Sequence, residues 1–374
     1  MPASASPTKF KPGERRHART SHGISDRAGR ALVLVGDRQL WKKLSTMQIR
    51  FDRITIGVLS LAAFLPGCAI APTGSTPPGS LPAVRALSLP ESLPASGTSN
   101  IAPFGEWMYM AQLYGEDLGV YRRKRLRLIY VETLSDGISA PQGAVATHSG
   151  WLYVANGGRS NVLVYKSTHH GPKGPIATLD DYGEFPANVD VAANRRLVAV
   201  SNYKTVAGGP GSVSIYLDRQ AEPTRILTSG SDPIEGAGVA VDHHKNCYWS
   251  FNDPNTQSGS IVEFKKCKGN GRVVVEAITS AGGIVFDQSD DLYYIDRASG
   301  IYKCVRKSHC VLFSTGFGLP VNLNFDRKQH HLWVADATGY VDAVDPKNGK
   351  IVAHISTQGG PTDPPYGIAP SPGG

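Results

Sequence analysis

The chain has 374 residues with 39 Lys and Arg, 31 Asp and Glu, 41 Gly and 26 Pro, a formal net charge of +8. The basic excess points to an anionic partner until it is placed: residues 1–67 carry 12 basic and 4 acidic residues, and from Cys68 onward there are 27 of each. A neutral remainder excludes a nucleic-acid partner read from charge, and so much Gly and Pro excludes a long-helix protein in favour of short strands and many turns.

Residues 1–46 are polar, basic and unpatterned, and read as an extension that is either untranslated, with Met47 the initiator, or disordered. Residues 47–67 read as a signal peptide, with Arg50 and Arg53 flanking an apolar run, Ile54 to Phe64, too short for a comfortable membrane span. Leu65-Pro66-Gly67-Cys68 resembles the lipobox of bacterial lipoproteins, with Pro66 departing from the usual small or β-branched residue. That resemblance implies lipidation of Cys68, which becomes the mature N-terminus. Cleavage after Ala71 is the rival, disfavoured by Pro72, and an internal anchor is a third reading. Residues 68–100 form a Pro-, Ser- and Gly-rich tether with too little apolar surface to order itself. Ala69 beside the cysteine does not resemble the inner-membrane retention signal. The expected address is the bacterial cell envelope, lipid-anchored in the outer membrane or on the outer face of the cell membrane.

Residues 101–374 hold one unit, repeated. Pro141 to Tyr165 reads as three strands separated by a His-Ser-Gly turn and a Gly-rich turn. The second and third strands recur as EWMYMAQ with LGVYRR, WLYVAN with NVLVY, RLVAVSN with SVSIYL, CYWSFND with SIVEFK, LYYID with GIYKCV, and HLWVAD with YVDAV. First strands start near Pro141, Pro186, Glu235, Gly282, Pro320 and Pro365, at the spacing of β-propeller blades. The N-terminal copy lacks a first strand, and the C-terminus offers a lone one. The sequence therefore predicts an all-β, six-bladed β-propeller of four-stranded blades, its ring closed by a C-terminal strand completing the N-terminal blade.

The motif Pro-x-Gly-[Ala/Val]-x-[Val/Phe]-Asp, followed by a Leu-Tyr-Val-Ala-[Asn/Asp] strand, resembles the NHL-repeat and SMP-30/gluconolactonase-like propellers over Gly105 to Ala369. The resemblance implies architecture more than activity, because one propeller hosts hydrolases, lyases and binding scaffolds. SMP-30-like enzymes hold one metal with a Glu, two Asn and an Asp. Candidates here are Gln142, Asn188, Asp190, Glu235, Asn322 and Asn324, with Asp232 and Asp363 in preceding loops, for one divalent cation such as Ca²⁺ or Zn²⁺. The family's Pro-Asn-Gly motif falls on Ala187 and Val321, one place before Asn188 and Asn322. On a regular strand that offset turns a side chain to the opposite face, and bulges at both places are not expected.

Cys247 and Cys267 bracket one predicted hairpin, and Cys304 and Cys310 flank one tight turn. No Cys-x-x-Cys pair supports a four-thiolate zinc site, so two disulfides are expected. Asn156, Asn202, Asn252, Asp296 and Asp336 each end a second strand, and repetition in five blades reads as turn structure rather than a ligand ring. The doublets His169-His170, His243-His244 and His330-His331, with His148, read as solvated turns of separate blades that do not converge. Arg122, Arg123, Lys124, Arg125 and Arg127 read as a solvated hairpin or as a contact for an anionic surface. No phosphate loop, nucleophile elbow or His-Glu-x-x-His motif is present.

Two functions from different classes follow. The first is a monomeric, lipid-anchored binding or scaffold module whose partner is an envelope protein, a glycan or a small ligand. The second is a divalent-metal hydrolase of the lactonase type with its site at the channel mouth.

Overall fold

A computed structural model describes residues 106–166, 172–192, 196–217, 220–229, 234–326 and 328–371. The extension, signal peptide, tether, Cys68, Asp232 and the His169-His170 doublet lie outside these residues.

The described chain forms six four-stranded antiparallel sheets, the blades of a six-bladed β-propeller. In five blades the strands follow chain order from the inside outward. The inner strands are Pro141–Ala146 in blade 2, Glu184–Val191 in blade 3, Glu235–Val241 in blade 4, Ala281–Phe286 in blade 5 and Pro320–Phe325 in blade 6. Blade 1 is composite: Pro365–Pro370 pairs antiparallel with Trp107–Gln112 and supplies its inner strand. The expected closure is therefore observed. Ser371 secures it, donating its N–H to the Trp107 carbonyl at 2.8 Å while its hydroxyl accepts the Trp107 N–H at 3.0 Å.

The continuous apolar runs of the second strands follow from this stacking. Each blade is covered on both faces, so both alternating sets of side chains are buried. On Trp107–Gln112, Trp107, Tyr109 and Ala111 pack against blade 2, while Met108 and Met110 pack against blade 6. The apolar core accordingly divides into six clusters, one at each seam between neighbouring blades.

Every inner strand carries one extra residue near its start. Register shifts fall between Pro141 and Ala144, Pro186 and Asn188, Gly236 and Gly238, Ala281 and Ile284, and Pro320 and Asn322, and where Ala111 and Gln112 face Gly367 and Pro365. Bulges thus occur at both places together, contrary to expectation, and they turn Asn188 and Asn322 back into the packed interior, 7% and 5% exposed.

One equivalent position near the start of each inner strand forms the waist of the ring: Gly143, Asn188, Gly238, Gly283, Asn322 and Gly367. Neighbouring strands approach so closely that a Cβ on Gly143 would lie 2.6 Å from the Asn188 Cα. One on Gly238 would lie 2.9 Å from the Gly283 Cα, and one on Gly367 2.9 Å from the Gly143 Cα. Real Cβ atoms do not tolerate such contacts with backbone, which is why glycine holds four of the six positions.

Both expected disulfides are present, Cys247–Cys267 and Cys304–Cys310. Cys304 and Cys310 are direct register partners. Cys247 instead faces Phe264, and Cys267 reaches it from the 3₁₀ turn Lys265–Cys267 just beyond the strand.

Candidate functional site

The propeller has two faces. The turns joining inner to second strands gather on one, the turn face. On the other, the loop face, the second-to-third turns meet the loops that enter each inner strand. The predicted ligands are divided between the two mouths and the waist.

Asp190 and Asn324 lie at the turn-face mouth, where a cavity of about 610 Å³ opens with residues of all six blades in its wall. Both Asp190 oxygens are taken. Oδ1 accepts the Val191 N–H at 2.8 Å and Oδ2 the Val241 N–H of blade 4 at 2.7 Å. Burial pushes the Asp190 carboxyl up to about 6 against the two N–H donors that lower it. Other acids around this mouth are also committed. Asp287 Oδ1 accepts the Ser289 and Asp291 N–H groups, and Asp326 Oδ1 accepts that of His330. The Asp that closes the repeated [Val/Phe]-Asp motif therefore shapes the turn after it. His148 and His243, expected apart on separate blades, both line this cavity, and His243 holds Asp290 at 2.8 Å.

Glu235 and Gln142 lie at the opposite mouth. Glu235 begins the strand that Val241 ends, so it stands roughly 17–20 Å along the ring axis from Asp190. Asn188 and Asn322 sit at the waist, three blades apart. The six candidates do not form one donor set, and no group of three or more His, Cys, Asp and Glu suited to a metal ion occurs among the described residues. The channel residues do not fit a single coordinated divalent ion. Asp363 is structural: it accepts the Gly115 N–H at 2.8 Å and the Gln112 amide at 2.9 Å, pinning the closing loop to blade 1.

Four of the five Asx residues at second-strand ends, Asn156, Asn252, Asp296 and Asp336, are structural as expected, but mostly through a different partner. Asn156 Oδ1 accepts the Ser139 N–H, Asp296 those of Thr279 and Ser280, and Asp336 those of Gly318 and Leu319. These amides belong to the loops that enter the inner strands, whereas the following turn was the expected partner. Asp296 and Asp336 also bind it, through Ala298 and Thr338.

The basic run divides. Arg122, Lys124, Arg125 and Arg127 are exposed, and Arg122 lies over Trp107 with its guanidinium carbon 5.4 Å from the ring. Arg123 is buried, paired with Asp326 of blade 6 at 3.2 Å and placed over Trp333 at 5.6 Å. One of the five is thus a stitch across the closing seam.

At the loop-face mouth the sequence reading missed the central residue. Arg297 directly follows Asp296, and its N–H donates to the Ser280 carbonyl at 2.8 Å. Its side chain comes within electrostatic range of Tyr366 from blade 1, Tyr203 from blade 3 and Glu235 from blade 4, so it reaches toward the axis. Burial holds the guanidinium below its ordinary value. Its Nε is buried without a hydrogen-bond partner, and no carboxylate lies within 4.0 Å among the described residues. Glu235 instead accepts the Tyr203 hydroxyl at 2.6 Å. Aromatic pairs flank the group: Tyr114 with Tyr366 at 6.0 Å, and Phe185 with Tyr203 at 6.5 Å. The signal for Arg297 was the residue after each repeated Asx, which runs Gly157, Tyr203, Asp253, Arg297 and Ala337. That place varies in chemistry while its neighbours repeat.

No protein-family model and no curated protein sequence matches the chain significantly. Among solved structures it is similar to a calcium-binding protein, regucalcin, from Agrobacterium tumefaciens. The two share 13% identity over 58% of this chain and 74% of that one, with a TM-score of 0.44. It is also similar to a protein of unknown function from Bacteroides thetaiotaomicron, at 15% identity and a TM-score of 0.46, over 61% of this chain and 64% of that one, under two thirds of its length. Likenesses this distant carry no argument about what the chain does, and the propeller is read from its own strand pairing.

Proposed function

We propose that the protein is a lipid-anchored, extracytoplasmic propeller that acts as a binding module and holds a small carboxylate-bearing ligand at its loop-face mouth through Arg297. Two disulfides belong to an oxidising compartment and support the address. The observation that carries the ligand class is the half-buried Arg297 side chain, whose Nε is buried without a hydrogen-bond partner and which has no carboxylate within 4.0 Å among the described residues. A buried cation without an anion is costly, and a bound carboxylate offsets that cost with charge-assisted hydrogen bonds. Tyr366, Tyr203, Tyr114 and Phe185 offer apolar faces to the body of such a ligand. Glu235, with one oxygen held by Tyr203, keeps an acceptor for a ligand hydroxyl or ammonium. The lactonase alternative needs one ion held by donors that instead lie at two mouths and a waist, too far apart to share it.

The test uses the full chain with D-glucuronate, which joins a carboxylate to a ring, and neutral D-glucose as control. Calorimetry is expected to give binding of glucuronate and none of glucose. Arg297→Met weakens glucuronate roughly tenfold or more. The ligand-free Arg297→Met protein is expected to melt no lower than wild type, because an unpaired, half-buried charge has been replaced by an apolar chain. A clear loss of stability with unchanged binding makes Arg297 a structural plug and ends the reading. The anchor is tested separately, by labelled palmitate in a two-membrane bacterium. Label and membrane association are both expected to vanish in Cys68→Ser, and a wild-type chain that takes up no label removes the anchor.

A further inference from the structure

Blade 3 holds a set of buried oxygens that the fold does not use. The outer strand of blade 2, Pro175–Asp180, passes into blade 3 through the turn Asp181-Tyr182-Gly183-Glu184. The Glu184 N–H donates to the Asp181 carbonyl at 3.1 Å, and Gly183 takes a φ of +80° that favours glycine. Tyr182 at the apex is exposed, but the two acids that flank it are drawn inward, Asp181 to 1% and Glu184 to 7% exposure.

Asn202 completes the set. Its counterparts Asn156, Asp296 and Asp336 accept amide N–H groups of the loops entering their inner strands. Asn202 donates its amide to the Ser212 and Ser214 hydroxyls, each at 3.0 Å, and Ser214 in turn donates to Asp181 Oδ1 at 2.6 Å. These bonds leave Asp181 Oδ2, Glu184 Oε2 and Asn202 Oδ1 buried, each without a hydrogen-bond partner. Three orphan acceptors in one small cluster are not what a satisfied core contains.

Among the described residues no basic side chain balances the acids. The groups facing them are Ser212, Ser214, Tyr216 and Asn202, together with each other. Burial first, then the Asp181 charge, pushes Glu184 up to about 7 against the Ser212 hydroxyl, and burial pushes Asp181 up to about 6 against the Ser214, Tyr216 and Asn202 donors that lower it. Two carboxylates and an amide carbonyl are hard oxygen donors, with no nitrogen or sulfur ligand among them.

We propose that Asp181, Glu184 and Asn202 form a binding site for a hard divalent cation, Ca²⁺, built into the turn that joins blades 2 and 3. The site lies apart from the channel and does not depend on the ligand assigned to Arg297. An oxygen-only set with two negative charges matches calcium chemistry, and water completes the coordination. The ion replaces the proton that the acids otherwise retain, and it ties the start of blade 3's inner strand to its second and third strands.

The test uses the full chain stripped with EGTA and titrated with CaCl₂, followed by calorimetry and thermal melting. One Ca²⁺ per chain is expected, with a melting temperature raised by roughly 5 °C or more at a hundredfold excess over Kd. Asp181→Asn with Glu184→Gln keeps the shapes and removes both charges. That variant is expected to fold, to melt in EGTA no lower than wild type, and to bind Ca²⁺ about 100-fold more weakly. Terbium luminescence, displaced by Ca²⁺ in wild type and lost in the variant, gives a second readout. Arg297→Met should bind Ca²⁺ as wild type does, which separates this inference from the ligand at the mouth. No response up to about 10 mM Ca²⁺, above the range of weak extracellular calcium modules, overturns the proposal. So does a double variant that binds as tightly as wild type.

Discussion

Asp326→Ala is expected to cost the propeller about 3–5 kcal/mol, read as a lower urea midpoint at unchanged slope. Asp326 and Arg123 are 4% and 8% exposed and join the third strand of blade 1 to the first turn of blade 6. Removing the carboxylate leaves a buried guanidinium unpaired, and it also releases the His330 N–H, which Asp326 Oδ1 accepts at 2.8 Å. Arg123→Met keeps Trp333 covered but leaves the buried Asp326 carboxylate without its guanidinium, so it should cost a comparable amount, softened only by the His331 ring at 3.3 Å and the His330 N–H. Arg122→Ala, exposed over Trp107, should stay within about 0.5 kcal/mol. If Asp326→Ala and Arg122→Ala prove equally mild, the seam is not held by this pair.

The second large effect belongs to the disulfides. Replacing Cys247 and Cys267 together by Ser opens a loop of 20 residues, and chain entropy assigns that closure about 3 kcal/mol. The Cys304–Cys310 loop spans 6 residues and closes for about 2 kcal/mol. Exposure orders their reduction. Cys247 and Cys267 are both fully buried, whereas Cys310 is partly exposed beside a buried Cys304. Graded reductant with thiol alkylation and mass spectrometry should therefore label Cys304 and Cys310 before Cys247 and Cys267. Protein made with all four thiols free, yet as stable as the oxidised form, would remove the disulfides from the account of the fold.

Much of the architecture was legible because the sequence repeats its chemistry where the structure repeats its geometry. WLYVA and LWVA are apolar throughout because both faces of each strand are covered, and the unpaired strand at Pro365 has one place to go. The site was less legible for three physical reasons. A bulge adds one residue without altering composition, so Asn188 and Asn322 looked misplaced until the register of the inner strands was seen. A basic run reads as surface, yet Arg123 lies two residues from buried Tyr121 on a period-two strand, and that alternation was the available clue. Asp181 and Glu184 announce a turn, and nothing local reveals that both carboxylates face inward while the apex tyrosine faces water.

The closing strand also has a consequence for biosynthesis. Trp107 meets its partner Ser371 across 264 residues, so blade 1 lacks its innermost strand until almost the whole domain has been made. Contacts of that span form late and slowly. A chain that crosses a membrane from its N-terminus would emerge with Met108 and Met110 still waiting for their cover from blade 6. Such a chain stays threadable until its last strand arrives, and it needs protection from aggregation for as long as that takes.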